Sequence, residues 1–401
     1  MAIISVSLLV IAILGVFVKP RRVPSWVAPA AAAIVVMGLG LFDVGGASLR
    51  GALTAAEPLS APLAFLLCAV PLTAMLDRIG FFAALAALVD AGRRPQLALW
   101  CLAAAVTTFL NLDAAVVLLT PLYIRIARRH GLSATMLAFQ PVLLACLASS
   151  ALPISNLTNL IAAASLNLGA GDFIVHLGPA SLAATAVGWL AYRGAGRSDE
   201  IVEPVHDPVD RTALLCGGPI VAFVALGFTL GDAVGIPAWS VALVADIVLI
   251  VMTRRFRAAD LPFGAAALAV GLGIVATTAA PHLGIGHLLH GGAVSDQLRA
   301  IGAAGIGADT INNLPALLVG LPSIERHPAL IWPVLFGVNF FPIFVLHGSL
   351  AGLLWRETAG RLGVQVSPWQ YTVMGLRVGV PALLAGMVVL TAIPAGLAWL
   401  G

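Results

Sequence analysis

Charge is what this 401-residue sequence has least of: Asp, Glu, Lys and Arg together make up 10% of it, against about 25% in an ordinary soluble domain. So little charge cannot clothe a water-facing surface. Cysteine is scarce too. Cys68, Cys101, Cys146 and Cys216 stand singly inside apolar stretches with no CxxC. They read as small buried hydrophobes, with soft-metalloid ligation as the alternative. No HExxH, G-x-S-x-G or P-loop occurs, so metalloprotease, serine hydrolase and ATP-driven pump are left without a motif. These absences exclude a soluble enzyme, a nucleic-acid binder and a secreted disulfide scaffold.

What is present is hydrophobic sequence, 60% of the chain, in recurrent runs of about 20 residues that are each long enough to cross a bilayer. The expected fold is therefore an all-α polytopic membrane protein. The first run has no basic segment before it and is followed by Lys19-Pro20-Arg21-Arg22, which suits a first span with its N-terminus outside rather than a signal peptide.

Basic clusters at Lys19 to Arg22, Arg93–Arg94, Arg125 to Arg129, Arg193 to Arg211, Arg254 to Arg257 and Arg356 to Arg361 are placed in the cytoplasm. Links at 43–60, 166–173 and 231–237, poor in base or carrying Asp43, Glu57, Asp172 and Asp232, are placed outside.

Spans near 2–18, 25–42 and 61–90 then lead to a stretch, 96–124, that begins and ends beside inside clusters and so turns back as a hairpin. Spans near 135–165 and 173–192 complete a first half. Spans near 213–230, 237–252 and 262–280, a hairpin at 296–322, and spans over 329–355 and 371–398 repeat the order with opposite orientation. The expectation is about ten transmembrane helices plus two re-entrant hairpins, in two inverted repeats. These are residues 1–192 and 213–401, joined by a cytoplasmic link at 193–212, with both termini outside. Such a repeat puts a binding site near the midplane, where broken helices meet.

Four polar clusters fall at matching places, one per hairpin and one per following span. They are Thr107 to Asp113; Ser149-Ser150 through Ser155-Asn156-Leu157-Thr158-Asn159; Asp309 to Pro315; and Asn339, Pro342 and His347-Gly348-Ser349. Unpaired backbone and amides at membrane depth belong around a cavity, although Pro and Ser also merely kink helices and Asn also merely glues them. The candidate solute ligands are Asn111, Ser155, Asn156, Thr158, Asn159, Asn312, Asn313, Asn339, Gly348 and Ser349. Asp113 and Asp309 are the candidate coupling residues, because a carboxylate at the bilayer centre costs at least about 2.5 kcal/mol and marks a functional site by default.

Asp246, mid-span, is a similar carboxylate without a motif around it. Asp77-Arg78 reads as an internal ion pair or an early cytoplasmic end. His282, His287 and His290 read as a solvated loop. No cofactor or metal ion is called for, and without a nucleotide site the transport is secondary.

The motifs resemble the ion-transporter superfamily, most closely its bacterial arsenite permease branch, which is related to the superfamily's sodium/proton antiporters and dicarboxylate carriers. Asn111-Leu112-Asp113-Ala114-Ala115 through Leu118-Leu119-Thr120-Pro121 is similar to its T-N-D-x-A-x-x-L-L-T-P hairpin, with Leu112 inserted between Asn and Asp. Ser155-Asn156-Leu157-Thr158-Asn159 resembles S-N-x-x-N, and Asn312-Asn313-Leu314-Pro315 resembles N-N-x-P. Gly348-Ser349-Leu350-Ala351 followed by Leu353-Leu354-Trp355 resembles G-S-L-A-x-L-L-W. Where the family has N-L-G-P-x-x-T, this chain has Asn339-Phe340-Phe341-Pro342-Ile343-Phe344-Val345.

The resemblance implies a dimeric elevator-type exchanger of the inner membrane that exports arsenite or antimonite by proton antiport or with a soluble ATPase partner. A sodium/proton antiporter of the same superfamily and an ATPase-partnered channel subunit are the rivals.

Overall fold

The computed structural model describes residues 2–18, 23–41, 59–90, 95–194, 209–231 and 234–397. The cluster at Lys19 to Arg22, most of the 43–60 link, Arg93–Arg94, Asp232, most of the 193–212 link and the last residues lie outside the described residues. Among the described residues every regular element is helical.

In chain order the α-helices are α1 (Ala2–Val18), α2 (Val27–Leu41), α3 (Ser60–Arg78), α4 (Phe81–Asp90), α5 (Pro95–Phe109), α6 (Leu112–Ala114), α7 (Thr120–Arg129), α8 (Ala134–Leu147), α9 (Leu157–Leu166), α10 (Ala170–His176), α11 (Gly178–Arg193), α12 (Arg211–Leu230), α13 (Ala238–Thr253), α14 (Phe263–Ala279), α15 (Val294–Ile311), α16 (Asn313–Ile324), α17 (Ile331–Phe340), α18 (Leu350–Arg361) and α19 (Pro368–Leu397).

Among the described residues, four helical stretches are long and apolar enough to cross a membrane alone: Ser60–Arg78, Arg211–Leu230, Ala258–His282 and Pro368–Ala392. The pair Leu157–Leu166 and Ala170–His176, bent by 114°, would make a fifth. The other apolar segments are helices of 10–17 residues. One break differs from the sequence expectation. The apolar stretch 61–90 is not a single span: Gly80, at φ +82°, takes a left-handed turn open to glycine and separates α3 from α4.

Two segments fold back on themselves. In the first, Tyr123 Oη donates to the carbonyl of Leu99, and the two residues lie equally far from Asn111 along the chain. There α6 passes through a wider π-turn at Ala115–Leu119 into α7. In the second, α15 and α16 pack together around Asn312, and Gly307 leaves the facing Ala316 room at the tip. Each hairpin precedes a broken span, α8 to α9 in one case and α17 to α18 in the other.

Among the described residues, basic side chains tie together segments distant in sequence. Arg78 pairs with Asp260 and donates to the carbonyl of Arg255 at 2.8 Å. It does not bond to its neighbour Asp77, which feels the charges of Arg125 and Arg78. Arg128 donates to the Leu362 carbonyl, and Arg377 to that of Gly194.

Candidate functional site

The site is built from four places where a helix starts inside the molecule. A helix start leaves N–H groups without intrahelical partners, and short polar side chains satisfy them as caps. At the first hairpin tip Asn111 Oδ1 accepts from the Asp113 N–H at 2.8 Å, while its amide donates to the Ile154 carbonyl at 3.4 Å. Ser155 Oγ donates to the Thr108 carbonyl at 2.7 Å, so the tip is stitched to the break between α8 and α9. Asn156 then caps α9, accepting from the Thr158 N–H at 3.2 Å.

The second hairpin repeats these contacts with different residues. Asn312 Oδ1 accepts from the Leu314 N–H at 3.4 Å, and its amide donates to the His347 carbonyl at 3.1 Å. The Asn313 N–H donates to the Gly348 carbonyl at 2.8 Å, and Ser349 Oγ caps α18 by accepting from the Gly352 N–H at 3.2 Å. The tips are not identical: Asn312 has φ +81°, a region disfavoured for side-chain-bearing residues, whereas Asn111 is extended.

Asn339, on α17, ties the two broken spans together. Its Oδ1 accepts from Asn156 Nδ2 at 2.9 Å and Thr158 Oγ1 at 2.7 Å. Its Nδ2 donates to Ser150 Oγ at 3.1 Å and Asn159 Oδ1 at 2.7 Å. Asn159 in turn donates to the carbonyls of Ser149 at 2.8 Å and Leu152 at 3.0 Å. Every polar atom of the Asn339 side chain is committed, and it is buried.

Between the four helix starts lies a cavity of about 60 Å³. Its polar wall is Asp113, Asn156 and Thr158 from the first hairpin and broken span, with Asn312, Asn313 and Ser349 from the second. Its apolar wall includes Leu66 on α3 and Ala265 and Leu268 on α14. The volume suits a few waters or a small inorganic solute. Helix N-termini carry partial positive charge, so the polar wall favours oxygen-rich ligands. Asp113 is the acid in this wall, and its Oδ1 is buried and accepts no hydrogen bond from the protein. Among the described residues no Lys, Arg or Cys lines the cavity.

Six of the twelve residues singled out from sequence thus meet at one cavity. The others stand behind it. Asn111, Ser155, Asn159 and Asn339 hold the tips and breaks, and Gly348 fits where a Cβ would come within 2.8 Å of Asp309 Oδ1 and 2.9 Å of Pro342 Cα. Asp309 therefore sits behind the second tip. Its buried Oδ1 also has no hydrogen-bond partner. Asp246, buried on α13 where that helix packs on α3, lies apart from the cavity. Sequence reasoning missed Leu66, Ala265 and Leu268, which carry no signal distinguishing them from lipid-facing residues.

The chain is 26% identical over 348 residues to the arsenical pump membrane protein of Escherichia coli (strain K12), covering 77% of this chain and 81% of that protein. It is also 26% identical over 347 residues to the arsenical pump membrane protein of Yersinia enterocolitica, with the same coverage. The sequence profile of the citrate transporter family, CitMHS, matches residues 1–336. The chain is a multi-pass membrane transporter, and it belongs to the CitMHS citrate transporter family of the ion-transporter superfamily.

Proposed function

We propose that this protein is a secondary active exporter of arsenite or antimonite, working by proton antiport. The observation that carries the reading is the composition of the cavity wall: amides, hydroxyls and helix N-termini with one carboxylate and no cationic side chain among the described residues. Trivalent arsenic and antimony hydroxides are uncharged near neutral pH. Amide and hydroxyl hydrogen bonds hold such a solute without a cationic clamp. Citrate would bring several carboxylates to a small cavity that already holds Asp113. The relatives named arsenical pump membrane protein point to the same cargo.

Asn156, Thr158, Asn312, Asn313 and Ser349 are the solute ligands in this reading, and Asn111, Ser155, Asn159, Asn339 and Gly348 position them. Asp113 carries the proton at the site, so that solute and proton compete for one cavity; Asp309 carries a second proton behind the tip. The two halves, 1–192 and 213–401, are inverted repeats joined by the 193–212 link. The matched pairs of tip and break support this. Hairpins and broken spans move together as an elevator past a frame containing α3 and α14, in a homodimer. The protein lies in the inner membrane with the basic end in the cytoplasm and both termini outside.

The direct test is protection. An arsenite-sensitive bacterial host expressing the chain should accumulate less arsenite than the same host expressing Asn313→Leu. Equal accumulation with both proteins present at equal level removes arsenite as the cargo. A sodium/proton antiporter would instead leave arsenite accumulation unchanged and protect against sodium.

A further inference from the structure

Two more cavities line up with the solute site on its basic side. The first is a wide polar vestibule of about 630 Å³ lined by Thr310, His347, Arg356 and Glu357, with Val16 and Leu353 at its inner edge. The second is a cavity of about 20 Å³, walled by Ile13, Val16, Leu272, Ile311 and Leu353, with Asn312 as its polar group. The small cavity shares Val16 and Leu353 with the vestibule. It shares Leu268, Asn312 and Leu350 with the solute cavity. The three therefore adjoin one another, with the small cavity between the vestibule and the solute cavity. On the other side, a cavity of about 320 Å³ lined by Phe65, Ile154, Asn167, Phe228 and Trp239 shares no lining residue with the solute cavity.

From this series we infer that Ile13, Val16, Ile311 and Leu353 form an apolar collar through which the solute site is loaded from the basic end, and that the collar admits uncharged hydroxylated solutes while excluding ions. The inference rests on the proposed solute site and names its substrate class. A space of about 20 Å³ holds a single water, so a solute larger than water passes only when these side chains move apart, and it passes without its hydration shell. One water can relay a proton but cannot keep an ion hydrated, and a charge stripped of water among apolar side chains is strongly disfavoured. Hydrophobic constrictions gate other pores by the same loss of water. An uncharged trihydroxide loses far less on entering, and at Asn312 it meets its first amide. The collar thus separates a vestibule open to any solute from a site that meets only neutral ones. Sodium and carboxylate ions are stopped before they reach Asp113.

The test uses the full-length chain with its four cysteines replaced, in everted vesicles that present the basic end to the medium. Single cysteines are placed in the vestibule (Thr310→Cys) and on the wall of the solute cavity (Ala265→Cys). A permanently charged methanethiosulfonate should modify Thr310→Cys but modify Ala265→Cys at least about tenfold more slowly, while the small neutral methyl reagent reaches both. Adding Leu353→Ser should raise charged-reagent access to Ala265→Cys by about tenfold and leave Thr310→Cys unchanged. The idea is overturned if the charged reagent reaches both positions equally in the native collar, or if Leu353→Ser does not speed access. Size-exclusion profiles matching the parent confirm that each variant is folded. This labelling needs no arsenite. A chain that shows the labelling pattern but fails to export arsenite would sink the proposed function and leave the collar standing.

Discussion

The two hairpins use the same ingredients differently. At the first tip the acid comes two residues after the capping Asn and faces the cavity: Asp113 lines it with Asn156 and Thr158. At the second tip the acid comes three residues before the capping Asn, and Asp309 points behind the tip toward Gly348. The breaks differ as well. The first is dense with amides and hydroxyls, of which Asn156, Thr158, Asn159 and Ser150 converge on Asn339. The second is a Gly–Ser step flanked by Phe340, Phe341 and Phe344, with Phe336 stacked on Phe340 at 4.1 Å. The first hairpin and break bring a carboxylate, an amide and a hydroxyl to the cavity, and the second bring two amides and a hydroxyl. Similar motifs in sequence therefore do not mean equivalent duties. Here the acid after the helix start lines the cavity and the acid before it lies behind the tip.

The comparison can be broken most severely at Asn339. Asn339→Leu leaves Asn156, Thr158, Asn159 and Ser150 without their shared partner. Hydrogen bonds between membrane helices are worth about 0.6–1.7 kcal/mol each, so the loss should reach several kcal/mol. The expected outcome is a large fall in melting temperature or in the yield of monodisperse protein. A variant of parental stability would show that the hub is not what joins the broken spans.

Next in size is Asp113→Asn. It removes a carboxylate that bonds to nothing in the protein through Oδ1, so the fold should survive while proton-coupled export falls by about 100-fold, the lower end for loss of a proton-transferring group. Full coupled transport by this variant would take Asp113 out of the proton path.

Asn312→Gly is gentler, because glycine accepts the positive φ that leucine would not. Without the amide, solute affinity should weaken by about tenfold, the equivalent of one hydrogen bond. Affinity unchanged in purified protein would place the solute elsewhere.

The smallest effect on binding sharpens the comparison directly. Asp309→Asn, behind the tip, should change solute affinity by less than about twofold. If instead it weakens binding as much as Asp113→Asn, the acids are equivalent and the asymmetry between the half-sites is wrong.

Much of this was legible in the sequence because the bilayer leaves few choices. Long apolar runs can only be helices, and polar clusters such as Ser155-Asn156-Leu157-Thr158-Asn159 can only interrupt them where protein covers the break. Asp113, Asn156, Thr158, Asn312, Asn313 and Ser349, all drawn from these clusters, line one cavity. Which amides face inward and which serve as struts was not legible. Asn156 and Asn159 are one helical turn apart, and only the packing of Asn339 between them separates their roles. The pairing of Arg78 was equally hidden. Asp77-Arg78 read either as an ion pair or as an early cytoplasmic end; neighbouring helical residues do not face each other, and the carboxylate Arg78 bonds belongs to Asp260. The division of 61–90 into α3 and α4 falls at Gly80, just after Asp77-Arg78, the pair whose reading as an early cytoplasmic end already marked the break.

The central claim, exchange of a trivalent metalloid for protons, is tested most directly in everted membrane vesicles with an imposed proton gradient and a dye reporting internal pH. Arsenite and sodium are added in separate runs. Arsenite-dependent proton release with accompanying uptake of labelled arsenite, and no response to sodium, is the predicted result. Proton release driven by sodium, with none on adding arsenite, would contradict it and turn the two aspartates into cation ligands.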